Sequence, residues 1–165
     1  MEYLNLYDKK GKLLNEKGIR GEKSSDLVGV AIIFIENSKG ELLIQKTSSS
    51  RNSVFATTGG HVAYGSTFEE TIRSEVQEEL GIDITNEKIV EVNTYIRDCD
   101  IQKVYYLKKD IDIKDITIQE DEVEYVKWLD DETINKLIGK GEFREGNIEG
   151  YQYLRERTET AILKL

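Results

Sequence analysis

The sequence predicts an α/β layered fold, and three observations carry that prediction. Residues 28–35, VGVAIIFI, form an unbroken apolar, β-branched run, the pattern of a strand buried on both faces. Phe68, Ile72, Val76 and Leu80 recur every four residues, as on an amphipathic helix. Alternating runs follow that helix, and two further stretches of helical spacing close the chain. With 165 residues and no internal repeat or linker, we expect one domain over 1–165. It divides into an N-terminal strand pair and loop (1–27), a core (28–138) and a C-terminal helix (147–165).

In chain order, residues 2–16 read as two short strands around a Lys-Lys-Gly turn, followed by a polar loop. After the central strand at 28–35, Asn37-Ser38-Lys39-Gly40 makes a turn, and 41–46 returns as the hairpin partner. Residues 47–53, TSSSRNS, are a polar connector. Residues 54–58 lead into Gly59-Gly60, a short loop leads on to Gly65, and a helix starts at Ser66. Ser66-Thr67-Phe68-Glu69 has the spacing of a capping box. Gly81 can adopt the left-handed conformation that stops a helix, with Ile82 folding back near Val76. Residues 88–97 and 101–109 alternate as two antiparallel strands. Residues 110–119 are irregular, and Val123–Leu129 is a further strand. Asp130 or Asp131 caps a helix to about Ile138, and 139–146 is a loop. Ile148, Tyr151, Leu154, Thr158, Ala161, Ile162 and Leu165 then keep helical spacing to the end.

Composition narrows the function. The net charge of −9 argues against long nucleic acid as a partner, but a bound metal could still offset the charge of a small phosphorylated metabolite. No apolar run reaches the length of a membrane span, and no secretory signal is visible. The single Cys99 cannot form an internal disulfide, which suits the cytoplasm. Oligomeric state cannot be read from the sequence.

The carboxylates of the central helix are unusually placed. At about 100° per residue, Glu79 points roughly 20° from Ile72 and Glu75 roughly 60° from it on the same side, with Glu78 close by. Solvated glutamates belong opposite an apolar stripe, yet these border it. Their mutual repulsion is what a divalent cation removes, and Mg²⁺ takes oxygen ligands alongside substrate phosphates. A Glu-x-x-Glu-Glu pattern alone is more often a plain solvated face.

With the glycines upstream and the Gly-Ile stop, the stretch resembles the signature of the Nudix hydrolase family, G-x5-E-x7-R-E-U-x-E-E-x-G-U, where U is a bulky apolar residue. Gly60, Glu75, Val76, Glu78, Glu79, Gly81 and Ile82 match in register, whereas Ser66 replaces the family Glu and Ser74 the family Arg. The GGHV loop and the N-terminal strand pair look most like the subgroup related to isopentenyl diphosphate isomerase. The resemblance implies a mixed β-sheet sandwiched between α-helices. It also implies hydrolysis of a pyrophosphate bond in a small nucleoside-diphosphate-linked metabolite. Glu75, Glu78 and Glu79, with a backbone carbonyl of Gly59 or Gly60, would hold Mg²⁺ (or Mn²⁺). One of the glutamates Glu75, Glu78 or Glu122 would activate water. Lys46 would meet a phosphate, and His61 would serve structure or contact substrate.

Two other readings are weighed against this one. Isomerase chemistry in the family needs a cysteine in the strand before the glycines, where this chain has Val54-Phe55-Ala56-Thr57-Thr58. A nucleotide-binding module that has lost hydrolysis is favoured by Ser74, which cannot orient the glutamates as an arginine does.

Overall fold

In this computed structural model, residues 1–158 are described. Ala161, Ile162 and Leu165 of the C-terminal helical pattern lie outside them. β1 (Tyr3–Tyr7) and β2 (Leu13–Ile19) form the expected antiparallel pair, with the second strand continuing past residue 16. Their turn is closed by Asp8 Oδ1, which accepts the backbone N–H of Lys10 and of Lys12.

β3 (Leu27–Glu36) is the central strand. On one side β8 (Asp100–Lys108) runs parallel to it, from Val28 opposite Asp100 to Glu36 opposite Lys108. β7 (Val90–Ile96) flanks β8 in antiparallel register. On the other side β1 pairs with the start of β3, and β6 (Thr58–His61) pairs with Val30–Ile33. The sequence reading of 41–46 as a hairpin partner needs correction. β4 (Leu42–Thr47) meets β3 only where Glu36 faces Leu42. β6 already occupies that edge, so β4 finds its partners in β9 (Val123–Leu129) and the two-residue β5 (Phe55–Ala56). β3 and β4 therefore diverge beyond that pair.

The side chains of β3 alternate between two cores. Ala31, Ile33 and Ile35 pack on one face with Ile72, Val76 and Leu80 of α1 (Phe68–Leu80). Ile32 and Phe34 pack on the other face with Ile134 of α2 (Asp131–Gly139) and with Tyr151 and Leu154 of α3 (Glu145–Thr158). This is the expected mixed sheet between helices.

The start of α1 differs by one residue from the capping box read in the sequence. Thr67, not Ser66, is the N-cap: its hydroxyl accepts the Glu70 N–H at 3.0 Å, and the Glu70 carboxylate accepts the Thr67 N–H at 3.0 Å. Ser66 is held in the preceding turn. Its N–H donates to the Ala63 carbonyl, and its own carbonyl accepts from Asn5 Nδ2. The sequence contains both S-x-x-E and T-x-x-E spacings one residue apart, and the tie to β1 selects the second. Gly81 ends the helix at φ +66, and a Cβ there would also press on Thr117.

Asp130 caps α2 by accepting the Thr133 N–H. α3 begins at Glu145, two residues before the expected start. It is fastened to the sheet by Arg155, which pairs with buried Glu36 at 2.6 Å and with Asp131 at 2.9 Å. Tyr106 and Tyr151 donate to the same two carboxylates. Among the described residues no helix is long and apolar enough to cross a membrane.

Candidate functional site

Glu79 is the most constrained carboxylate of α1. It is 4% exposed, and its Oε1 accepts a hydrogen bond from Gln45 Nε2 of β4 at 2.9 Å. Gln45 is in turn contacted by the Thr58 hydroxyl of β6, so β4 and β6 both help to orient Glu79. The other oxygen, Oε2, is buried and has no hydrogen-bond partner among the described residues. A buried carboxylate oxygen left bare is costly, and its charge suits it to holding a cation.

Glu75 lies one turn earlier, half-buried, with its carboxylate against the backbone of Gly60. A Cβ on Gly60 would fall 2.5 Å from Glu75 Cδ and closer still to Oε1. Glycine at 60 is therefore what admits the carboxylate to the strand. Burial, and after it the charges of Glu79 and Glu78, raise the Glu75 carboxyl to about 8. Burial also raises Glu79, to about 7, against the lowering effect of the Gln45 hydrogen bond. Two carboxyls held near neutrality by burial and each other are a site short of positive charge.

The third helix carboxylate stands apart. Glu78 is exposed and lies with Arg73, Ser74 and Asp83 on the outer surface of α1. Its charge still reaches Glu75. Among the described residues, no three carboxylate, histidine or cysteine side chains already converge as a closed metal cage. Ser74 is exposed on the outer surface as well. Arg73 offers no substitute for an arginine at 74, because its guanidinium donates to the carbonyls of Ile84, Thr85 and Glu87 behind the helix.

Glu122, at the mouth of β9, is ion-paired with Arg51, and its charge acts on both Glu75 and Glu79. The structure thus draws Glu75, Glu79, Glu122 and the Gly59-Gly60 backbone together. Lys46 is directed elsewhere, with its ammonium 4.6 Å from the centre of the Phe55 ring.

A cavity of about 500 Å³ opens on the α3 face of the sheet, floored by Val30, Ile32 and Gly59. Arg20, Arg51, Arg97 and Arg144 line it, together with Asp100 and Gln102. His61 lies between this cavity and a second one of about 550 Å³ that includes Leu4, Val28 and Cys99. Burial, and then the nearby Arg20, hold the His61 imidazole below its usual value. Sequence reasoning missed the arginines, Gln45 and Asp100. They come from separate elements, so no local spacing marks them; the only prior hint was Arg51 inside a polar connector.

The family model described as NUDIX domain matches residues 26–149. An uncharacterised Nudix hydrolase of Listeria innocua is 30% identical over 149 residues, covering 87% of this chain and 88% of that protein. Among solved structures, DR0079 from Deinococcus radiodurans superposes with a TM-score of 0.78 at 24% identity, over 93% of this chain and 98% of that one. A Caenorhabditis elegans Ap4A hydrolase superposes at 0.55 with 19% identity, over 79% of this chain and 96% of that one.

Proposed function

Because this chain belongs to the Nudix hydrolase family, we propose that it is a metal-dependent hydrolase of a pyrophosphate bond in a small nucleoside-diphosphate-linked metabolite. The observation that carries this reading is the bare, buried Oε2 of Glu79 beside the Glu75 carboxylate, which is seated against Gly60. That donor set suits a hard divalent cation, Mg²⁺ or Mn²⁺. Glu75 and Glu79 would hold it, assisted by Glu78 and by a carbonyl of Gly59 or Gly60. When bound, the ion neutralises phosphoryl charge and polarises the bond to the leaving oxygen.

The remaining work falls to the protein. Gln45 and Thr58 fix the direction of Glu79. Glu75, Glu78 and Glu122 are the candidates for taking the proton of the attacking water, and Arg51 restrains Glu122 just before β9. His61 contacts substrate as a neutral imidazole, consistent with its burial. Lys46 meets phosphate only if it leaves the Phe55 ring, so we assign phosphate contact first to Arg144. The small substrate and the lone, exposed Cys99 fit a cytoplasmic setting. Likeness to the isomerase-related subgroup does not extend to isomerase chemistry, because the strand before Gly59 carries no cysteine.

The test is a panel of nucleoside di- and triphosphates, dinucleoside polyphosphates and nucleotide sugars, assayed with Mg²⁺ and Mn²⁺ for phosphate or nucleotide release. Metal-dependent release from at least one compound is expected. Absence of release from all of them would favour the binding-module reading, which the exposed, unengaged position of Ser74 supports.

A further inference from the structure

The charge balance of the 500 Å³ cavity decides what it can hold. Three of its four arginines already face a carboxylate: Arg20 pairs with Glu2 at 3.0 Å, Arg51 with Glu122, and Arg97 lies 3.6 Å from Asp100. The Arg144 guanidinium has no ion-pair or hydrogen-bond partner among the described residues. It is half-buried, and burial holds its guanidinium below the usual value, against the opposing pull of Glu79 and Glu122. One uncompensated cation near the glutamates calls for one phosphate. It does not call for a densely phosphorylated polyol, which the Asp100 carboxylate would also repel.

Asp100 marks the other end. It is 8% exposed, and its Oδ1, which lies 3.6 Å from Arg97 Nε, has no hydrogen-bond partner among the described residues. Gln102 is two residues along β8 on the same face. Its Oε1 is already occupied by the Tyr95 hydroxyl, which leaves its Nε2 to donate. An acceptor and a donor therefore stand side by side above the apolar floor of Val30 and Ile32. A flat ring lying on aliphatic side chains, with a polar edge, matches that surface; a polyol does not. The two ends are well separated. Asp100 is opposite Val28 of β3, whereas Arg144 is bonded to Phe55, beyond Thr58, which is opposite Ile33. Five residues of strand span roughly 16 Å, which leaves room for a nucleoside.

We infer that the cavity takes the nucleoside end of the substrate, with Arg144 pairing with the phosphate next to the scissile bond and Asp100 and Gln102 reading an N–H and an adjacent acceptor on the base. Asp100 is then a specificity-determining residue. The inference rests on the hydrolase reading for its orientation, but it can be tested without turnover.

Titration calorimetry in EDTA would measure the affinities of ADP, CDP, GDP and UDP, with ribose 5-phosphate and tripolyphosphate as probes lacking a base. At least one nucleoside diphosphate should bind. Asp100→Asn should weaken that nucleotide about tenfold or more and leave tripolyphosphate no weaker, because the charged acceptor at the base edge has become a neutral amide that donates from one of its two positions. Arg144→Gln should weaken both. Thermal melts of the two variants check that they are folded. If Asp100→Asn weakens every probe alike, Asp100 merely braces Arg97 and the inference falls. It falls too if no nucleotide binds, if Arg144→Gln changes nothing, or if ribose 5-phosphate binds as tightly as the nucleotides. Nucleotides that bind as expected but are never hydrolysed would leave the inference standing and remove the hydrolase reading.

Discussion

Adding a single methyl group at residue 60 should separate stability from metal binding. Gly60 lies in β6 opposite Ala31 and has no positive φ, so alanine can adopt its backbone without strain. Its Cβ would sit 2.5 Å from Glu75 Cδ, and ordinary contact begins at 3.4 Å, so the carboxylate must retreat by about 1 Å. The end of a glutamate side chain can make that move cheaply. Replacing glycine also restricts the unfolded chain, which stabilises by about 0.4–1 kcal/mol where the fit is unstrained. Gly60→Ala should therefore melt at or slightly above the wild-type temperature. Displacement of a reacting group by about 1 Å can cost roughly 10²-fold in rate. Turnover should fall by about that factor, and Mn²⁺ affinity should weaken at least tenfold.

The control is Gly59→Ala. Its Cβ would meet the Ala31 carbonyl oxygen at 2.6 Å and Ile32 Cα at 3.2 Å, atoms of the central strand that cannot withdraw. That variant should lose about 1–3 kcal/mol, the usual cost of overpacking. Urea melts and Mn²⁺ titrations of both proteins are the assay. A Gly60→Ala protein that binds Mn²⁺ like the wild type, or is destabilised like Gly59→Ala, would refute the argument that glycine 60 exists to admit Glu75.

Other outcomes follow from the same structure. Thr67→Ala should cost about 0.5–2 kcal/mol in a urea melt and Ser66→Ala much less, because the hydroxyl of Thr67 is the cap. In EDTA, Glu75 and Glu79 hold protons that the unfolded chain has released, since their folded values of about 8 and about 7 exceed the ordinary 4.5. Stability should then fall as pH rises from about 4.5 to about 8, read as a lower melting temperature, with Mn²⁺ or Glu79→Gln removing much of the loss. Arg155→Ala should cost about 3 kcal/mol, because it leaves buried Glu36 without its cation. Ser74→Arg should raise steady-state turnover several-fold, since arginine at 74 stands four residues before Glu78 and can draw that exposed carboxylate into an ion pair. An unchanged rate would show that Glu78 needs no such partner.

The parts of this molecule that a sequence exposes are those written in local spacing. The four-residue recurrence from Phe68 to Leu80, the stop at Gly81 and the apolar run of β3 gave the central helix, its end and the central strand directly. Where two local patterns competed, sequence alone could not choose. Ser66 and Thr67 each have a glutamate three residues on, and only the bond from Asn5 to the Ser66 carbonyl, across 61 residues, decides between them. β4 was misread as a full hairpin partner because the competitor for that edge, β6, lies beyond the next connector. Among site residues, Glu75 and Glu79 were legible because they share a helix. Arg97, Asp100 and Arg144 were not, since β7, β8 and the start of α3 come together only through the sheet.

The alternation of β3 has a consequence for how such a protein can diversify. Odd positions serve the helix that carries the glutamates, and even positions form the floor of the arginine-lined cavity. The glycine pair repeats the division, with Gly60 turned toward Glu75 and Gly59 toward Ile32. A single strand thus acts as a partition wall. Substitutions on the cavity side, at 97, 100 and 102, can be drawn and redrawn while the glutamate side is left alone. A combinatorial library confined to those three codons is the place to look for altered ligand choice within an unaltered reaction.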